Sequence, residues 1–248
     1  VTWLAANWQQ VLDLTILHLQ LSILPIVVGF LLAIPLGFVA FRYRLTRGLV
    51  LTLVGLLYTI PSLALFVILP PLLGLPFLSA ANVLIALTIY AVALMSRATA
   101  DALESVDPDI RQAATAMGYS SWRRFWTVDF PLAGPVLLAG LRVVAVSTIS
   151  LLTVGVVVGV DSLGYLFRNG YQRGILASVL TGVIAVVVIA LVVDRLLAIV
   201  GAWLMPWTRQ IKGPRRHDSQ EDEQQDGGHT KVAQTTALTR GEQQGAPA

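Results

Sequence analysis

Few residues in this chain have the types and spacing that chemistry requires. The histidines, His18, His217 and His229, stand far apart, with no H-E-x-x-H arrangement and no cysteine to complete a metal site. A serine nucleophile would need a G-x-S-x-G turn, and none occurs. Cradling ATP would need a glycine-rich loop ending in Gly-Lys-Ser or Gly-Lys-Thr, but the two lysines, Lys212 and Lys231, are followed by Gly213 and Val232. The chain is therefore read as no enzyme and as holding no cofactor, so that ATP-driven work would rest on hydrolysis by another chain.

Charges embedded in apolar sequence form a second group. Arg97, Arg142, Asp194 and Arg195 fall in such runs, where a charge is costly unless it pairs, snorkels or faces water. Arg142 reads as a residue that holds helices together through helix-end carbonyls, with lining a path as the other reading. Asp194-Arg195 reads as a structural pair or a partner contact, and His18 as an interfacial residue at the outer end of the first helix.

The third group is the polar stretch RQAATAMGYSSWRRFWTVDFPLAGP, residues 111–135. Asp107 can cap a helix that Pro108 begins, with Asp109 in its first turn at the positive helix end. The spacing predicts a short helix over about Pro108 to Met117, closed by Gly118 in the left-handed conformation. Ala113, Ala114 and Ala116 make it slim enough to enter a groove. Trp122, Phe125, Trp126 and Phe130 then form an apolar stripe for the membrane interface or the helices beside it, with Arg123 and Arg124 turned to water. Pro131 opens the next apolar run. A short exposed helix tied to apolar helices on both sides suits a mechanical coupler; a plain amphipathic loop is the competing reading.

The elements that must position this stretch are set by composition. Hydrophobic residues make up 56% and charged residues 12%, with a mean hydropathy of +0.74, about half the charge of a soluble domain. Windows at about 17–41, 49–73, 80–100, 131–159 and 175–205 are each long enough for a bilayer core of about 30 Å. The fold expected is an all-α integral membrane protein with about five transmembrane helices.

Arg42, Arg44 and Arg47 follow the first window, whereas the connection around GLPFLSAAN is uncharged. By the positive-inside rule the first connection is cytoplasmic. The N-terminus then lies outside, residues 101–131 inside, DSLGYLFRNGYQRG outside and the C-terminus inside. Residues 1–16 carry no basic leader pattern and, with Trp3 and Trp8, read as an external interfacial lead-in to a transmembrane domain at 17–207. The segment 208–248, poor in apolar residues, reads as a disordered cytoplasmic tail. Pro25, Pro35, Pro61, Pro70, Pro71, Gly155 and Gly159 lie inside the windows, as kinks beside a path or as ordinary membrane-helix composition.

The polar stretch also resembles the EAA loop of bacterial ABC-importer permeases: Glu-Ala-Ala, three residues, Gly, nine residues, then Ile-x-Leu-Pro. Here Gln112-Ala113-Ala114 is followed by TAM, Gly118, YSSWRRFWT and Val128-Asp129-Phe130-Pro131, with the spacing kept throughout. Gln112 stands where the pattern has an acid, and Val128 and Phe130 where it has aliphatic residues. Over about 18–207, YTIPSLALFVILPPLLG, VDPDIRQAATAMG, PLAGPVLLAGLRV and GVDSLGYLFRNG resemble permeases of the glycine betaine/carnitine/choline, or osmoprotectant, branch.

The resemblance implies a type I ABC importer permease in a bacterial cytoplasmic membrane. Its coupling helix would carry Arg111, Gln112, Ala113, Ala114, Met117 and Gly118 into a cleft of a separate ATPase subunit, which holds ATP and Mg. A second permease copy or paralogue, an extracytoplasmic solute-binding protein and the bilayer are the other implied partners, with no nucleic acid among them. Tyr58, Pro61 and Ser62, in the TIPS turn, are the candidate path residues, against a packed kink as the other reading. An aromatic cage of the kind that holds quaternary ammonium groups is not expected, because Tyr58, Phe66, Tyr90 and Tyr165 are far apart in sequence. The alternative function is an ion-gradient carrier or channel, which calls for paired intramembrane carboxylates or inverted repeats.

Overall fold

A computed structural model describes residues 2–209. Among them every regular element is helical: α1 (Thr2–Arg42), α2 (Arg44–Thr59), α3 (Ser62–Leu73), α4 (Ala80–Glu104), α5 (Pro108–Ala116), α6 (Ser121–Arg124), α7 (Phe130–Leu152), α8 (Gly164–Gln172) and α9 (Leu176–Leu204). A π-helical turn, Phe125–Asp129, joins α6 to α7, and a 3₁₀ stretch, Thr153–Val158, extends α7. The segment 208–248 lies outside the described residues but for its first two positions.

Four helical stretches are long and apolar enough to cross a bilayer, and the bent α2–α3 pair makes five when counted as one span. Leucine, isoleucine and valine cover the outside: on α9, Leu180, Ile184, Val187, Val188, Leu191 and Ile199 are all exposed. Such a surface has its favourable partner in lipid.

α1 corrects the lead-in at 1–16. It is helical from Thr2 through 41 residues, about 60 Å at 1.5 Å per residue. Asn7 bends it, with φ −124° and ψ 17°, and its side-chain amide donates to the Trp3 carbonyl at 2.8 Å. Trp3, Val11 and Leu14 pack with Ile149, Leu163 and Val186. The apolar period starts before residue 17, so these turns belong to the bundle.

The second window is not one straight span. α2 and α3 meet at 102°, because Pro61 disfavours the helical conformation at the residue before it; Ile60 is extended, with ψ 128°. The Tyr90 hydroxyl on α4 donates to the Ile60 carbonyl at this break. Farther along α3, Pro70 has no N–H for the carbonyl four residues earlier, Phe66, and the buried Asn82 side chain of α4 donates to it at 2.8 Å.

α4 is the central helix, packed on α1, α2, α3 and α7. Its approach to α1 depends on glycine: a Cβ at Gly29 would lie 2.4 Å from that of Ala91, and one at Gly37 only 2.5 Å from that of Thr99.

His18 is fully buried, which corrects its interfacial reading. Its Nε2 contacts the Ile149 carbonyl at 3.0 Å, and its Nδ1 accepts from the Leu163 amide at 3.4 Å. The neutral Nε2–H tautomer satisfies both bonds. The Ile149 carbonyl lies where α7 tightens into the 3₁₀ stretch and the Thr153 N–H turns to Ser150 and Leu151 instead. His18 thus ties α1 to the end of α7 and to the loop before α8.

Candidate functional site: the capped helix between α4 and α7

α5 forms where the sequence places it. The Asp107 carboxylate accepts from the Asp109 amide at 2.8 Å, Pro108 occupies the first turn, and the helix ends at Ala116 with Met117 as its cap. Gly118 has φ +83°, its N–H donates to Thr115 O, and the Tyr119 N–H returns to Ala114 O. This closure satisfies carbonyls that a helix end otherwise leaves open.

The six coupling candidates divide by direction. Gln112, Ala113, Met117 and Gly118 are exposed, with Met117 at 71%; Ala114 is buried, and Arg111 is half-buried. The side chain of Arg111 turns inward. Its Nε donates to Asp129 Oδ1 at 3.0 Å, its Nη2 to the Leu103 carbonyl at the end of α4, and its guanidinium lies 4.6 Å from the Phe41 ring centroid at the end of α1. A cation at the carbonyl end of α4 also meets that helix dipole favourably. Arg111 therefore anchors α5, and the surface offered outward is Gln112, Ala113, Ala116 and Met117.

Asp129, absent from the sequence-based site, is the hub. It is 2% exposed and also accepts from Arg124, Nε to Oδ2 at 3.3 Å, while Arg124 Nη1 donates to Thr115 Oγ at 2.9 Å. Arg124 is thus not turned to water as expected. Arg123 is exposed, with its guanidinium 4.8 Å from the Tyr119 ring centroid. The reason is the π-helical turn: one extra residue per turn breaks the 3.6 period and sends Asp129 inward behind Phe125. The aromatic stripe does form, but splits: Phe125 is buried between Phe38, Trp126 and Phe130, whereas Trp122 is 68% exposed. The signal available in the sequence was an acid directly before the aromatic-proline opening of a span, with arginines 5 and 18 residues earlier.

A helix capped at both ends is thus tied through Arg111 to the ends of α1 and α4 and to the start of α7. Residues 14–206 match the family model described as "binding-protein-dependent transport system inner membrane component". The chain belongs to this permease family. It is 32% identical over 190 residues to the osmoprotectant import permease protein OsmW of Salmonella typhimurium, covering 75% of this chain and 87% of that protein. It is 30% identical to the glycine betaine/carnitine/choline transport system permease protein OpuCB of Bacillus subtilis, covering 80% of this chain and 90% of the relative. Among solved structures, the inward-facing MetNI methionine ABC transporter superposes with a TM-score of 0.65 at 21% identity, over 79% of this chain and 94% of that one. The fold is that of an ABC-importer permease.

Inside this multi-pass permease, Tyr58 is 43% exposed and lines a groove of about 570 Å³ between α2 and α4, together with Thr59 and Arg97. Pro61 and Ser62 do not line it; they form the break and the first turn of α3. The fold brings together two of the dispersed aromatics, Tyr58 and Tyr90, edge to face at 5.9 Å. Phe66 is buried in the packing of α3 on α4, and Tyr165 lies on α8. Among the described residues Arg142 bonds no helix-end carbonyl: its Nε and Nη2 each donate to Asp194, at 2.7 Å. The two residues are 52 positions apart on different helices, beyond any helical period; the approach of α7 to α9 pairs them.

Proposed function

We propose that this permease contributes to the membrane path of an ATP-driven importer for quaternary-amine compatible solutes of the glycine betaine, carnitine and choline kind. The observation that carries the reading is α5: a short helix with an outward face of Gln112, Ala113, Ala116 and Met117, fixed through Arg111 to α1, α4 and α7. A cleft of a separate ATPase subunit receives that face, and ATP and Mg stay on the ATPase. When nucleotide closes the ATPase pair, the cleft displaces α5. Its clamp passes the displacement to α4 and α7, whose rearrangement alternates access to the path. The solute class is supported by the relatives, whose names include osmoprotectant, glycine betaine, carnitine and choline transport. A second permease copy or paralogue completes the path, and an extracytoplasmic binding protein delivers the solute.

Orientation follows from the basic residues. Arg47 bonds Glu104 at the end of α4, and Arg111 meets Phe41 at the end of α1, so the arginine-rich α1–α2 connection shares an end of the bundle with α5. By the positive-inside rule that end is cytoplasmic and the N-terminus external. An ion-gradient carrier finds less support, because Asp194, within the α9 span, is already engaged by Arg142.

The test is reconstitution in lipid with the ATPase and binding protein. Gly118→Asp is expected to insert in normal amount and to lose both transport and solute-stimulated ATP hydrolysis. Normal transport by that variant would remove α5 from the mechanism.

A further inference from the structure

At the edge of the outward face of α5 lies a surface notch of about 300 Å³, lined by Arg111, Gln112, Thr115, Ala116 and Arg124. Its charge is unbalanced. Two guanidinium groups share the single carboxylate of Asp129, which itself is buried. Asp107 and Asp109, in the first turn of α5, do not line it, and Glu104 is held by Arg47. One positive charge is left over, on arginine side chains only 16% and 21% exposed.

The donors are unbalanced as well. Arg111 spends Nε on Asp129 and Nη2 on Leu103; Arg124 spends Nε on Asp129 and Nη1 on Thr115. Among the described residues, Nη1 of Arg111, Nη2 of Arg124 and the Gln112 amide have no hydrogen-bond partner. Half-buried guanidinium groups gain most from a planar, bidentate anion. An acid at position 112 would have set such an anion on the rim from within the chain. Gln112 keeps the size and removes the charge.

We infer that the notch receives a carboxylate side chain from the ATPase subunit, which supplies from outside the negative charge that Gln112 withholds. The inference rests on α5 being the ATPase contact, and it adds the chemistry of that contact: an aspartate or glutamate of the ATPase between Arg111 and Arg124, with Met117 and Ala113 packing beside it. Because the Arg111–Asp129–Arg124 set also reaches α4 and α7, the incoming carboxylate joins the same hydrogen-bonded body. Pulling on it pulls on both helices.

The experiment measures binding of the ATPase to the full-length permease in lipid nanodiscs across a salt series. Gln112→Glu, which fills the notch with the chain's own carboxylate, is expected to weaken binding about tenfold, from like-charge repulsion of the incoming acid. It is also expected to flatten the salt dependence, whereas Tyr171→Ala, an exposed change on α8, stays within about twofold of the unaltered chain. Ala116→Glu, which brings a carboxylate from the other rim, repeats the loss should the first variant fold poorly. Binding as tight or tighter in both glutamate variants overturns the inference, as does salt-independent binding of the unaltered chain. Free phosphate competing with no ATPase carboxylate cross-linking to the notch overturns it too. A cross-link from Met117→Cys to the ATPase separates the two ideas: its presence with an indifferent Gln112→Glu sinks the notch alone, and its absence sinks α5 as the contact.

Discussion

Arg142 on α7 and Asp194 on α9 are joined by two hydrogen bonds of 2.7 Å each, within helices long and apolar enough to cross a bilayer. Planar guanidinium and carboxylate meet fork to fork, the geometry that best offsets the cost of holding charge near lipid. Removing one partner strands the other. Arg142→Leu and Asp194→Leu should each lower the thermal midpoint in detergent, and the double leucine variant should recover most of the loss. Additive losses in the double variant would show that the pair is not coupled.

His18, fully buried, links three parts of the chain through two hydrogen bonds. His18→Leu leaves the Ile149 carbonyl and the Leu163 N–H without that partner and should cost about 2 kcal/mol or more. Gln presents both a donor and an acceptor, so His18→Gln should retain part of the stability. Unfolding in denaturing detergent reads the difference, and equal stability of Leu and Gln variants would deny the bridge its role.

The α1–α4 contact should tolerate no side chain at its close glycine positions. A Cβ on Gly37 meets Thr99 Cβ at 2.5 Å and the Ser96 carbonyl at 2.8 Å, whereas one on Gly55 meets nothing within 4 Å. Gly37→Val should sharply reduce the yield of monodisperse protein, and Gly55→Val should fold normally. Similar yields from the two would contradict the close packing.

Gly118 has open space around it, so within the chain its constraint is the backbone, whereas the charge of Gly118→Asp acts on the face offered to the ATPase. With φ +83° and no atom within 4 Å of a built Cβ, Gly118→Ala pays only left-handed strain, about 1–2 kcal/mol. Asn visits that region more readily. Solute-stimulated ATPase activity should therefore fall in Ala and be better kept in Asn; the reverse order would mean that the side chain, not the turn, matters there.

How far the sequence reached follows from what its signals encode. The cap at Asp107, the proline start and the left-handed glycine of α5 are interactions among neighbours, so they could be read directly. Over 2–16 the sequence left an interfacial helix and a frayed lead-in both open, because Trp3 and Trp8 mark an interface; that Val11 and Leu14 continue the apolar face packed on α7 and α9 depends on the tertiary contact. The break at Pro61 was visible as a kink, but its 102° angle was not, since that depends on what α3 packs against. Arg124 was misdirected for a different reason. A 3.6-residue period was carried through Phe125–Asp129, where the backbone takes a π-helical turn.

By itself the sequence determined that the chain is helical and membrane-embedded, that a capped helix interrupts its spans, and that a family spacing runs through that helix. Local hydrogen bonds and hydropathy suffice for each of these. Only the tertiary structure decided that Arg111 and Arg124 converge on Asp129, that Arg142 chooses Asp194, and that His18 is buried between α1 and α7. Those partners are 18, 5, 52 and 131 residues apart. No local period specifies such pairs: they exist because packed helices exclude water and leave each buried charge or carbonyl to the one group the fold brings within reach.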